Sequence, residues 1–351
     1  SPDLPGQADM LRAALRRLAG GGDLDALLRY QPHGGRDAER ASVARHLSRS
    51  RGLDVGADQV AIVSGAQHGL ATTAMALLRP GDVVAVDALT YPGFKLVAET
   101  QRLEIVPVPA AGAGPDLDAL ESLCKRRRVK AAYVMPTLHN PLGWLMSLSR
   151  RRQLVALARR HGLVLIEDAA YAFLEADPPP PLAALAPELT VYVSGLSKSV
   201  ATGLRVGFVA APAAWLPKIE RAIRATTWNT PAVLTSMACS WLDDGTVARL
   251  EHKKRQDAIE RQAVAGEVLS GLRFKRHPAS YFVWLALPDD VRADKVASAL
   301  MSQRVSVSTA EPYATTSHVP HALRLALGSV GLDALRAALE AVRQAIDEQA
   351  Y

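Results

Sequence analysis

The chain has 351 residues, of which 49% are hydrophobic and 22% charged, and its net charge is +6. Such a composition is globular, long enough for one large domain plus a smaller one, and it excludes a low-complexity chain. Cys124 and Cys239 lie far apart with no metal-ligand spacing, which excludes a disulfide framework and fits two unpaired thiols in a reducing cytoplasm.

No apolar run approaches the ~20 residues of a membrane span, and no signal peptide is recognisable. The chain begins Ser1-Pro2-Asp3 without an initiator methionine, so an excised fragment is expected. Basic runs at Lys125-Arg126-Arg127-Arg128 and Arg150-Arg151-Arg152 read as solvated helix faces, because acids and apolar helix positions flank them.

In chain order, an N-terminal arm is expected over 1–30, a large domain over 31–230, and linking helices with a small C-terminal domain over 231–351. Val60–Val63 reads as a strand and His68–Leu78 as a helix. Asp82–Val86 is a strand, followed by a helix from about Pro92. Ile105–Val108 is a strand, and Asp116 opens a helix through Cys124. Ala131–Met135 is a strand, and Ser149–His161 a helix with Ser149 as N-cap. Leu163–Ile166 is almost wholly apolar, as a strand buried on both faces requires. Thr190–Val193 and Val206–Ala210 add two strands, with Pro178–Pro181 a stiff exposed connection before them. Alternating strands and helices predict a mostly parallel sheet between helices. Ala213–Ala225 and Pro231–Leu272 are helix-rich. Strands then return at Tyr281–Leu287, Val305–Ser308 and Leu323–Leu327, with helices at Ala293–Gln303 and Leu332–Glu348.

Ligands of open parallel sheets bind beyond the carboxyl ends of strands, and the chemistry-bearing residues fall there. Lys198 follows a strand and the small-residue turn Ser194-Gly195-Leu196-Ser197. A lysine desolvated beside other cations loses its proton more readily and becomes a nucleophile toward an aldehyde. Arg205 supplies such a cation and suits a phosphate. An aldehyde that carries a phosphate and condenses with lysine points to pyridoxal phosphate; the plain alternative is a loop lysine beside a structural arginine. Gly65, Ala66 and Gln67 join a strand to a helix, where backbone N–H groups meet phosphates. Tyr91 either stacks on a pyridine ring or serves as a core or turn tyrosine. Asn140, in His139-Asn140-Pro141-Leu142-Gly143, is either an amide donor to a phenolate oxygen or plain turn chemistry. Asp168 ends an apolar strand; a carboxylate there keeps a pyridine nitrogen protonated, or caps a turn. Tyr171 reaches the phenolate oxygen from the same side. Glu167 reads as a structural partner. Arg324 interrupts the apolar strand Leu323–Leu327; its planar fork suits a substrate carboxylate, or a buried salt bridge.

Taken in order, Gly65-Ala66-Gln67, Tyr91, Asn140-Pro141-x-Gly143, Asp168-x-x-Tyr171, Ser197-Lys198, Gly203-Leu204-Arg205-x-Gly207 and Arg324 resemble the fold-type I, aspartate-aminotransferase-like enzymes that use pyridoxal phosphate. The resemblance implies that Lys198 forms the internal aldimine and shuttles the proton, and that Asp168 pairs with the pyridine nitrogen. It implies that Asn140 and Tyr171 hold the phenolate oxygen and Tyr91 stacks on the ring. Gly65, Ala66, Gln67, Ser197 and Arg205 surround the phosphate, and Arg324, with Asn140, receives the substrate carboxylate. A homodimer is implied too, with Tyr30 and the loop around His33 reaching the partner's site.

A finer likeness is to the aminotransferase-like domain of MocR-type regulators of the GntR family. It is carried by Tyr30-Gln31-Pro32-His33-Gly34-Gly35, Arg51-Gly52, Ser64–His68, Leu89–Gly93, Thr226–Pro231 and the stretch 245–269. Such regulators read DNA through a winged helix-turn-helix, and this chain contains nothing resembling one. Two departures stand out. Gly195 replaces the serine usual three residues before the lysine, and Leu142 replaces threonine in Asn-Pro-Thr-Gly, which implies an apolar side chain at the site entrance. The expected function is aminotransferase-like chemistry on amino acids or related amines, as the effector domain of a regulator or as a free-standing enzyme. β-Elimination and decarboxylation are weaker readings, because a carboxylate held by Arg324 is not set up to leave.

Overall fold

The computed structural model describes residues 4–349. Its larger sheet contains β1 Val60–Val63, β2 Val83–Asp87, β3 Glu104–Val108, β4 Val129–Val134, β5 Val164–Asp168, β6 Thr190–Gly195 and β7 Gly207–Ala210. The strand order is β1-β7-β6-β5-β4-β2-β3. From β3 to β6 all neighbours are parallel, and β7 lies antiparallel between β6 and β1. Two reversals turn β1 the same way as β6. The carboxyl ends of β1, β2, β4, β5 and β6 therefore open on one edge.

Both faces of this sheet are covered, which explains why its strands are apolar runs rather than alternating ones. Val60 and Ile62 of β1 pack with Phe208 and Tyr192 toward helices Asp37–Arg51 and Ala232–Asp243. Ala61 and Val63 face the opposite way, toward helices Ala66–Leu77 and Leu216–Thr226. Val83, Ala85 and Leu165 pack with helices Leu117–Arg126 and Leu148–His161.

A second, antiparallel sheet contains β8 Arg273–Arg276, β9 Phe282–Ala286, β10 Ser308–Thr309 and β11 Ala322–Ala326, ordered β10-β11-β9-β8. Its apolar face packs with helices Thr246–Val268, Ala293–Ser302 and Leu332–Gln349. Trp284, Ala310 and Tyr313 reach from this side into the core of the larger sheet. The element order follows the sequence reading, with local differences. Strand β8 is largely solvent-facing and arginine-rich, so no hydrophobic pattern announces it. The strand expected at Val305–Ser308 is reduced to Ser308–Thr309.

Four readings are corrected. The N-cap of helix Leu148–His161 is Ser147, whose Oγ accepts from the Arg150 N–H at 3.3 Å, and Ser149 lies inside the first turn. Arg151 is not on a solvated face; it is fully buried. Its guanidinium donates to the Met146 and Pro136 carbonyls and to Thr137 Oγ1, each at 2.9 Å, and to the Pro179 and Pro180 carbonyls at 3.3 Å. The Pro178–Pro181 connection is consequently tied down, with Pro181 buried. Leu142 is 6% exposed and packs with Trp144 and Met146 in the core, not at the site entrance. The expected arm over 1–30 begins with residues 1–3, which lie outside the described residues; within it, Gln7–Gly21 is helical.

Candidate active site

The edge where the strand ends converge holds a cavity of about 300 Å³. Ala66, Gln67, Tyr91, Asn140, Asp168, Tyr171, Ser197, Lys198 and Arg205 all line it. They come from six separate segments, joined only because the strands preceding them are neighbours in the sheet.

At one end the backbone is compressed. Gly65 has φ +90°, which favours glycine, and a Cβ there would meet Arg205 Nη2 at 2.6 Å. A Cβ on Gly207 would lie 2.7 Å from the Gly65 carbonyl carbon and 2.9 Å from the Ala66 nitrogen. Strand β7 thus presses on the turn that opens helix Ala66–Leu77, whose first N–H groups have no partner within the helix itself. Arg205, with φ 52°, carries a left-handed backbone that non-glycine residues hold at a cost. It donates to Ser197 Oγ at 3.1 Å and more weakly to the Ser64 carbonyl at 3.4 Å. Gly195 fits the same compression. A Cβ there would meet the Val206 carbonyl oxygen at 3.1 Å and Gly207 Cα at 3.2 Å, so the missing serine would be crowded. Gln67 turns its Nε2 to the Gly93 carbonyl at 2.8 Å, while its buried Oε1 has no partner among the described residues.

At the floor, Asp168 is 5% exposed. The Tyr133 hydroxyl donates to Oδ2 at 2.6 Å and the Ala170 N–H to Oδ1 at 3.0 Å. Burial pushes this carboxyl above the ordinary range, opposed by those two hydrogen bonds and by the charge of Lys198. Tyr91 is pushed up to about 12, first by burial and then by the charge of Asp168, so it stays a neutral phenol at physiological pH. Lys198 Nζ lies 5.8 Å from the Tyr171 ring centroid. Glu167, one residue before Asp168, points away from the cavity and accepts from the Leu182 and Ala183 N–H groups at 3.0 and 2.9 Å.

At the other end, Arg324 Nε donates to Asn140 Oδ1 at 2.9 Å, joining the small sheet to the loop after β4. Its guanidinium lies 4.4 Å from the Phe282 ring centroid and 5.7 Å from that of Tyr313. Arg324 does not itself line the cavity but reaches its rim through Asn140. The neighbouring His139 is buried; its Nδ1 accepts from the Leu142 N–H at 3.2 Å and its Nε2 faces Asp87 Oδ2 at 3.1 Å. Tyr30 and His33 sit elsewhere, around exposed Trp228, with His33 Nδ1 2.6 Å from the Trp228 carbonyl.

Sequence reasoning missed Tyr133, Leu138 and Met135. Tyr133 had a signal: a hydroxyl in the middle of a fully buried strand needs a hydrogen-bond partner. Leu138 and Met135 had none, since apolar residues after a strand look like core.

Over residues 2–342 the chain matches the family described as aminotransferase class I and II. The chain belongs to that family. It is 30% identical over 341 residues to a 2-aminoadipate transaminase of Thermus thermophilus, covering 94% of this chain and 84% of that protein. It is 28% identical over 304 residues to the HTH-type transcriptional regulator YdeF of Bacillus subtilis, covering 86% of this chain. The matched region is 66% of that regulator's length, just under two thirds. Among solved structures, the α-aminoadipate aminotransferase LysN of Thermus thermophilus, complexed with N-(5'-phosphopyridoxyl)-L-leucine, superposes with a TM-score of 0.89 at 26% identity, covering 99% of this chain and 91% of LysN. The fold is therefore that of the fold-type I aminotransferases, and the cofactor this family indicates is pyridoxal phosphate. The residues present fit that group. A buried carboxylate, a lysine, a helix N-terminus and an arginine surround one cavity, and the bare glycines at one end let Arg205 and the helix start approach each other.

Proposed function

We propose that this aminotransferase-family chain carries out pyridoxal-phosphate-dependent amino-group chemistry on an α-amino acid, with Lys198 as the attachment point. The observation that carries the reading is that Lys198 and Asp168 line one cavity with an anion cradle at one end and Arg324 at the other rim. Pyridoxal phosphate, when bound, supplies an aldehyde and a ring that accepts electrons from the substrate carbon. The chain's own residues supply the rest. Ala66 at the helix start, Ser197 and Arg205 would hold the phosphate by N–H, hydroxyl and guanidinium donors, with Gly65 allowing their close approach. Asp168, kept in place by Tyr133 and Ala170, holds a proton on the ring nitrogen. Tyr91 covers the ring, and Asn140 and Tyr171 orient its oxygen. Arg324 binds the substrate carboxylate, and the Lys198 Nζ then takes and returns the α-proton.

The test is borohydride reduction of the cofactor-loaded protein followed by peptide mass mapping. The pyridoxyl mass is expected at Lys198, and its appearance on another lysine, or on none, overturns the reading.

A second reading is favoured by the likeness to the YdeF regulator: a sensing domain that binds an amine and changes shape with little turnover. It uses the same residues for the first step. Single-turnover reaction with a panel of amino acids separates the two. Stoichiometric keto acid supports an enzyme; a spectral change without product supports a sensor.

A further inference from the structure

Helix Thr246–Val268 carries the run His252-Lys253-Lys254-Arg255, in which Lys253 is exposed and Lys254 is 1% exposed. A lysine this deeply buried is costly unless its charge meets acceptors. Lys254 Nζ donates to the main-chain carbonyl of Val200 at 3.0 Å and to that of Lys198 at 3.2 Å. Those carbonyls belong to a single turn closed by Val200 N–H to the Leu196 carbonyl at 2.8 Å. A lone turn does not continue into a helix, so its last carbonyls need donors from elsewhere. Gln7 Nε2 also donates to the Val200 carbonyl, at 2.6 Å. Lys254 is itself held, because the Tyr281 hydroxyl donates to the Lys254 carbonyl at 2.8 Å. The same helix packs Ala258 against Leu138, Phe173 and Phe282, with Tyr171 on their edge, beneath the cavity.

We propose that Lys254 is a positioning residue for Lys198: its buried ammonium fixes the carbonyl of Lys198 and so sets the direction in which that side chain leaves the backbone. The proposal rests on the reading of Lys198 as the attachment point. Of the residues that would hold the phosphate, Ser197 shares this turn, whereas Ala66 and Arg205 lie on other elements and take no hydrogen bond from Lys254.

The test separates covalent attachment from cofactor affinity in the full chain. Lys254→Met keeps the length and removes the donors. It is expected to slow borohydride-trapped attachment of pyridoxal phosphate at Lys198 by about tenfold or more, the size of hydrogen bonds to a charged group. In a Lys198→Ala background, adding Lys254→Met is expected to leave the dissociation constant for pyridoxal phosphate within about twofold, because Lys254 contacts main-chain carbonyls of the turn and neither Ala66 nor Arg205. Attachment at the wild-type rate, or an equal loss in both measurements, overturns the proposal. If Lys254→Met does not fold, Lys254→Gln decides: its shorter, uncharged arm should slow attachment at least about threefold, and a wild-type rate overturns the idea. Failure of the wild-type protein to attach at Lys198 would instead sink the functional reading.

Discussion

The two ends of the cavity are built by different means. The Arg205 end is a matter of backbone: Gly195 and Gly207 pair on adjoining strands, Gly65 sits in the turn after β1, and their lack of side chains lets a turn, a helix N-terminus and Arg205 converge. The Arg324 end is a matter of side chains from distant parts of the chain, with Arg324 and Asn140 joined across 184 residues. Glycine-built sites tolerate no added atom. Side-chain-built sites lose only the interaction removed, provided the elements that carry them stay docked.

The largest effect should come from Gly207→Val. Its Cβ meets backbone at 2.7 Å, which has no rotamer to yield. We expect a loss of about 3 kcal/mol of stability and of measurable cofactor binding, read by urea denaturation and equilibrium dialysis. A well-folded variant with normal affinity would break the backbone account of this end.

Arg324→Met should leave the melting temperature and cofactor attachment near wild type while raising the KM for an amino acid about 10- to 100-fold, since a charged hydrogen bond is lost. Equal loss of cofactor binding would show that the two ends are not separable.

Leu142→Thr sharpens the contrast differently. Leu142 packs among Trp144 and Met146, so restoring the family's threonine should cost about 2 kcal/mol of stability through a buried hydroxyl and lost methylenes. Substrate preference should not change. A shift in preference among amino acids would return this side chain to the entrance.

The smallest effect concerns pH. Burial raises the Asp168 carboxyl in the cofactor-free protein. A carboxyl raised on folding contributes stability that is full below its unfolded pKa and fades as pH rises through the folded one. Asp168→Asn should therefore flatten part of that decline and be the more stable protein near neutrality, seen in urea midpoints from acid to neutral pH. A steeper decline in the variant would reverse the sign assigned to burial.

Much of this site was legible in the chain because strand ends carry their own signatures. Asp168 closes an apolar run, Lys198 follows a small-residue turn, and Gly65 opens a helix; each is local chemistry readable within a few residues. Arg151 and Lys254 were not legible. Each sits in a basic run whose other members stay half-buried or exposed, and only the docking of its helix buries one charge of the run completely. The same holds for Leu142, whose orientation depends on where the loop after β4 is pinned.

What the amino-acid order determined by itself was the alternation of strands and helices and the placing of small, polar and charged residues at strand ends. Those follow from short-range periodicity and backbone preference. What only the tertiary structure decided was which charges are buried, which glycines are crowded, and that Arg324 reaches the rim through Asn140. Burial and close approach are properties of pairs far apart in the chain, and no local pattern encodes the partner.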